Sequence, residues 1–235
     1  MIPKLIHYIW LGGQPLTELA RMCISSWQKY CPDYEIIRWD ESNFDVNINK
    51  YCQEAYQLKK WAFSSDYIRL WVLVNMGGFY LDTDVEIIRS LDNELVDRKC
   101  LFGFESRDRI STAFMACEPN YPLMKEMLES YSDDSFICEN GSLNQTTNVK
   151  RITSILASKG VQLTGRMQEM DDALICPPDY FSPKDWYTGK LSLSDNTYAI
   201  HHFDGSWASG TTKVKNLLIR LFGENFTSKI KKLIG

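Results

Sequence analysis

Apolar residues alternate along residues 4–13, KLIHYIWLGG, with Ile6, Tyr8 and Trp10 on one face, and the run stops at Gly12-Gly13. A period of two ended by glycines predicts a β-strand. The stretch 24–40, ISSWQKYCPDYEIIRWD, predicts a helix end, a Pro-Asp turn and a second strand. Over 50–76 the period changes: Leu58, Trp61, Ala62, Ile68, Val72 and Met76 recur at three-to-four spacing, which predicts a helix. Gly77-Gly78 closes that helix, as glycines beyond a C-terminus do, and FYLD follows at once as a third strand. Further strands are expected at 100–105, 113–117 and 197–203, and helices at 122–131 and 147–160. A strand–helix–strand opening of this kind predicts an α/β sheet.

Charge changes the picture at one end. The chain of 235 residues carries −4, which argues against a general nucleic-acid binder. Residues 213–235 set six basic side chains against Glu224, a net +5, and leave −9 on the rest. Val214, Leu217, Leu218, Leu221 and Phe222 place one apolar stripe on this segment, so a basic amphipathic helix is expected there. Such a helix suits peripheral contact with anionic lipid, or docks on the body with its lysines in water. The expected organisation is a body over 1–212 followed by this helix.

Seven cysteines with no C-x-x-C pair and an odd count point to free thiols in a reducing compartment. The chain opens without a charged-then-apolar leader and contains no run of about 18 apolar residues. The expected location is the cytoplasm, peripheral to the inner face of the cytoplasmic membrane if 213–235 binds lipid. No G-x-G-x-x-G follows the first strand, which excludes a nicotinamide-binding fingerprint there.

The chemistry concentrates in SSDYIRLWVLVNMGGFYLDTDV, residues 64–85. Asp66 and Arg69 stand three apart on a helix and share a face. Asp82 and Asp84 follow the third strand and point the same way if its pleat persists. Carboxylates that close repel unless a cation lies between them. An oxygen set suits a hard divalent ion with open positions for phosphate oxygens. Alone, D-x-D is most often a solvated turn and D-x-x-R a surface ion pair; in this order, joined by Gly-Gly-aromatic, they are far more specific.

IPKLIHYIWLGG, SDYIRLWVLVNMGGFYLDTD and HHFDGSW, taken in order, resemble the DXD-containing sugar transferases of glycosyltransferase family 32, relatives of the glucosylating domains of clostridial toxins. The resemblance spans residues 2–207. It implies a GT-A fold, Rossmann-like, with a single mixed sheet flanked by helices, a donor half over about 1–100 and an acceptor half over about 100–212. It implies a retaining transfer from a nucleotide-diphosphate sugar, a UDP-sugar being the expected donor, with Mn²⁺ or Mg²⁺. Residue by residue, Trp10 matches the tryptophan that stacks on the donor base, and Asp66 and Arg69 match the pair beside sugar and diphosphate. Tyr80 stands to touch the ribose or to pack in the core. Asp82 would meet ribose or reach the metal through water, and Asp84 would ligate it. A histidine before Phe-x-Gly completes the metal site, which selects His202 over His201, and imidazole tilts the choice towards Mn²⁺. Ser206 and Trp207 would close over the diphosphate. His7, in mid-strand, reads as structural. Ser111 and Thr112 stand where family members often carry Asn, which leaves the sugar preference open. The expected acceptor is a glycan or lipid-linked glycan of bacterial capsule, O-antigen or exopolysaccharide synthesis. A protein-modifying transferase and a non-catalytic sugar-nucleotide binder are the alternatives.

Overall fold

The structure, a computed structural model, describes residues 1–92, 97–186 and 188–205. The expected contacts of Ser206 and Trp207 and the basic helix over 213–235 therefore lie outside the described residues. Along the chain run β1 (Leu5–Ile9), α1 (Glu18–Tyr30), β2 (Glu35–Trp39), α2 (Lys50–Gln57), α3 (Trp61–Met76), β3 (Gly78–Leu81) and β4 (Val85–Ile87). The second half adds β5 (Cys100–Ser106), β6 (Arg109–Ile110), β7 (Phe114–Cys117), α4 (Pro122–Glu129), α5 (Asn148–Ser158), β8 (Gln168–Met170), β9 (Ala173–Cys176), α6 (Pro178–Phe181) and β10 (Ala199–His201).

The main sheet runs β2-β1-β3-β7-β5-β9-β8, with β6 paired to β5. β1 lies parallel to both β2 and β3, and β5 parallel to β9. β7 runs antiparallel between β3 and β5, so the sheet is mixed, as expected. β4 and β10 form a separate antiparallel ribbon.

Alternation along β1 works as its sequence predicts. Ile6 and Tyr8 enter the core layer that holds Trp27 of α1, and Ile9 enters the opposite layer with Ile68 and Leu73 of α3. Trp10 lies just past the strand end, partly buried, its indole N–H donating to the Gln14 carbonyl at 2.6 Å. His7 is fully buried. Its Nδ1 accepts from the Trp39 indole at 3.1 Å, which leaves Nε2 to donate to the Gly77 carbonyl at 2.9 Å. The structural reading of His7 therefore holds.

The helix expected over 50–76 is two helices. Lys59 turns left-handed at φ 56°, the Lys60 amide bonds back to the Ala55 carbonyl, and Leu58 is 42% exposed rather than part of a core stripe. The break lets α3 take its own direction under the sheet. α3 buries Ile68, Leu70, Val72 and Leu73 completely, each contributing about 2 kcal/mol of apolar burial. Gly77 and Gly78 both take positive φ, and a Cβ on Gly78 would come within 2.8 Å of the Leu5 carbonyl. Only glycine lets β3 leave α3 this abruptly and pair at once with β1.

Candidate active site

α3 delivers Asp66 and Arg69 to the edge of the sheet where β1 and β3 end. Both are buried. Arg69 directs every donor at the protein: Nη2 to Asp66 at 3.1 Å, Nη1 to Asp82 at 3.2 Å and to the Thr112 carbonyl at 2.7 Å, and Nε to the Ser65 carbonyl at 3.2 Å. Its guanidinium lies 4.6 Å from the Tyr80 ring centre. Burial works against its charge, but Asp82, Tyr80 and Asp66 hold its pKa above the ordinary value. Arg69 is thus a brace for the acids and for the β6–β7 connection. Asp66 takes the Asn148 amide at 3.1 Å on its other oxygen, and burial pushes its carboxyl up to about 6 despite these favourable partners.

Asp82 and Asp84 converge by a route other than the expected pleat. β3 stops at Leu81, and residues 82–85 form a tight turn closed by the Val85 amide on the Asp82 carbonyl at 3.0 Å. The Asp82 amide is pinned to the Ala113 carbonyl at 2.9 Å, while Tyr80 donates its hydroxyl to Asp82 Oδ1 at 2.7 Å. Tyr80 is therefore a core residue that also holds Asp82.

β10 then folds back along β4 with His201 opposite Val85. This pairing brings His201, not His202, to the acids. His201 Nε2 lies 3.5 Å from Asp84 Oδ1, whereas His202 turns to Glu86 at 2.9 Å. Successive strand residues face opposite ways, and the β4 register decides which histidine points in. His202 still helps through its backbone, which donates to the Asp84 carbonyl at 2.9 Å. The Asp204 amide donates to Asp84 Oδ2, also at 2.9 Å.

Asp82, Asp84 and His201 each offer a ligand atom, all within 4.8 Å of one another. Burial alone would raise the Asp84 carboxyl, yet His201 and the backbone amides hold it down at about 2. His201 is raised in turn by Asp84, Asp82 and Glu105 against the opposing effect of burial. Its Nδ1 is buried with no hydrogen-bond partner among the described residues. Two carboxylates and one imidazole, three ligand atoms in all, form a donor set that fits a divalent ion.

Ser111 and Thr112 are buried on the β6–β7 connection, and Thr112 is held through its carbonyl by Arg69. Sequence reasoning missed Glu105, the next-to-last residue of β5, which lies near Asp82 and His201. No motif flags it, and only the β5–β6 pairing places it. Burial raises its carboxyl, with His201 and Arg109 opposing. Beyond Trp10, an open cleft of about 530 Å³ is lined by Gly12, Gly13, Glu41, Tyr56 and Trp61.

Residues 17–102 match the family model described as "Glycosyltransferase sugar-binding region containing DXD motif". Inositol phosphoceramide mannosyltransferase 3 of Schizosaccharomyces pombe is 33% identical over 99 residues, covering 39% of this chain and 26% of that protein. The matched region thus spans about a quarter of that relative's length. Among solved structures, the PaToxG glycosyltransferase superposes with a TM-score of 0.52 at 18% identity, covering 68% of this chain and 69% of the other. A glycosyltransferase involved in glycosylation of the major capsid of PBCV-1 gives 0.50 at 10% identity, covering 92% and 98%. The fold is the GT-A fold.

Proposed function

We propose that this chain, whose residues 17–102 carry the DXD-containing sugar-binding region of glycosyltransferases, transfers a sugar from a nucleotide-diphosphate donor to a glycan acceptor with retention at the anomeric carbon. The convergence of Asp82, Asp84 and His201 beside the buried Asp66–Arg69 pair carries this reading. These three side chains would hold a divalent ion, Mn²⁺ in preference to Mg²⁺. When bound, such an ion neutralises the charge that develops on the departing diphosphate.

The remaining steps fall to the chain itself. Trp10 and the cleft past Gly12-Gly13 offer the donor's nucleoside, uridine in this reading, a partly apolar berth at the strand ends, where α/β sheets take their ligands. Asp66 presents carboxylate oxygens to sugar hydroxyls from the floor. Arg69 fixes Asp66, Asp82 and the Thr112 carbonyl in one rigid frame, so the floor is preorganised before the donor arrives. The bond from the anomeric carbon to the phosphate oxygen breaks as an acceptor hydroxyl bonds to that carbon from the same face. Its proton passes to the departing diphosphate. No side chain need form a covalent intermediate on this route.

The Schizosaccharomyces pombe relative is named for mannosyl transfer to inositol phosphoceramide, a lipid. A lipid-linked glycan acceptor is consistent with that likeness, and mannose is among the sugars to try. No helix among the described residues is long and apolar enough to cross a membrane.

The test is hydrolysis of a panel of UDP- and GDP-sugars with Mn²⁺, with Mg²⁺ and with chelator. Metal-stimulated hydrolysis of at least one donor is expected. Donor binding without turnover under any metal would favour the non-catalytic alternative.

A further inference from the structure

β5 and β6 pair out of step. Phe104 faces Ile110 and Ser106 faces Arg109, so Glu105 is an extra residue in a β-bulge. Bulges gather beside active sites because they re-aim a side chain. Leu101, two positions before Gly103, enters the core layer that also holds Val85, Ile87 and Ala199 of the β4–β10 ribbon. Gly103 faces Phe181 of that same layer, whose ring would lie 2.6 Å from an added Cβ. Glu105 follows in this series, at the level where the ribbon presents His201.

The surroundings of Glu105 are those of the site. His201, Asp82, Arg109 and Asp108 are the charged groups around it. The neighbouring strand connection supplies the Thr112 carbonyl to Arg69 and the Ala113 carbonyl to the Asp82 amide. Among the described residues the Glu105 carboxylate has no hydrogen-bond or ion-pair partner, in contrast to those of Asp66, Asp82 and Asp84. A partly buried carboxylate gains by accepting hydrogen bonds, and no described residue supplies them here.

We propose that Glu105 accepts a hydrogen bond from a hydroxyl of the sugar being transferred, and so helps to set which sugar the chain uses. This rests on the transferase reading above. Its partly buried position beside Asp82 and His201 selects the donor's sugar over the acceptor. A sugar hanging from the diphosphate must enter the pocket, whereas an acceptor arrives from outside. Ser111 and Thr112, buried on the adjoining connection, cannot replace a carboxylate, because their hydroxyls are weaker acceptors.

The test uses the full chain with Mn²⁺ and the best donor of the UDP- and GDP-sugar panel, in the absence of acceptor. Glu105→Gln is expected to lower kcat/KM for donor hydrolysis ten- to a hundredfold, the usual loss for a charged hydrogen bond. Glu105→Asp should recover part of it. Deoxy-donors locate the hydroxyl: one of them should be a poor substrate for wild type yet nearly equal to the parent sugar for Glu105→Gln. Thermal melts of both variants within a few degrees of wild type separate this from misfolding. Unchanged donor hydrolysis with lost transfer to acceptor would place Glu105 on the acceptor and overturn the proposal. Unchanged discrimination among deoxy-donors would overturn it too. A wild type that hydrolyses no donor would defeat the transferase reading first, and this inference with it.

Discussion

His7 in β1 and His201 at the end of β10 are both shielded from water, and they are finished differently. His7 is fully buried and satisfied on both nitrogens, by the Trp39 indole and the Gly77 carbonyl. Burial drives its pKa down to about 4, so it is neutral in the folded chain. His201, with a side chain 12% exposed, has one nitrogen 3.5 Å from a carboxylate and the other without a hydrogen-bond partner among the described residues. Asp84 and its acidic neighbours raise its pKa. The β1–β3 seam is a closed polar contact that fixes a strand register. The β4–β10 ribbon is an open one that leaves ligand atoms available. Two buried imidazoles on one fold thus separate structure from chemistry by what their second nitrogen meets.

Asp84→Asn separates the two histidine environments most sharply. Removing the charge from the open site should reduce donor hydrolysis about a thousandfold, roughly 4 kcal/mol of barrier, while circular dichroism keeps its native form. A variant retaining more than a tenth of wild-type hydrolysis would mean the acid is not part of the chemistry.

His7→Ala should have the converse signature. It orphans the Trp39 N–H and the Gly77 carbonyl inside the core and should lower stability by about 3 kcal/mol in urea unfolding. Metal dependence of any surviving activity should stay the same. The pH profile adds a second reading. Because the folded pKa of His7 lies near 4 and the unfolded one near 6.5, the unfolded chain binds the extra proton first. Stability from this residue is present above pH 6.5 and drains away as pH falls through 4, by about 3 kcal/mol in total. His7→Gln should flatten that slope. A slope of equal steepness in the variant would assign the acid sensitivity elsewhere.

A smaller effect separates the paired histidines. His201→Ala should weaken Mn²⁺ activation ten- to a hundredfold, and His202→Ala by less than about threefold, because the latter turns to Glu86. The reverse order would restore His202 as the ligand. Smallest of all, Trp39→Phe removes one donor from His7 and should cost about 1 kcal/mol of stability with hydrolysis unchanged.

Much of the fold is legible in the sequence because burial there is periodic. β1, the end of α3, the start of β3, and the strands at 100–106 and 114–117 follow from alternation and from Gly77-Gly78. The break at Lys59 escaped because the apolar spacing continues across it, and only backbone bonds from Lys59 and Lys60 show the turn. The site was half legible. Asp66, Arg69, Asp82 and Asp84 lie in one contiguous stretch, so local spacing reveals them. The choice between His201 and His202 depends on a register with β4, more than a hundred positions away in the chain. Glu105 depends on a bulge. Long-range pairing leaves no local trace, and these residues are found only once the strands are seen together.

The proposed transfer requires Asp82, Asp84 and His201 to seat a divalent ion. Electron paramagnetic resonance of Mn²⁺ titrated into the full chain with UDP, compared between wild type and Asp84→Asn, reads this directly. One bound Mn²⁺ per chain is predicted for wild type and none at the same concentrations for the variant. Equal Mn²⁺ binding by the two proteins, or none by either, would contradict it.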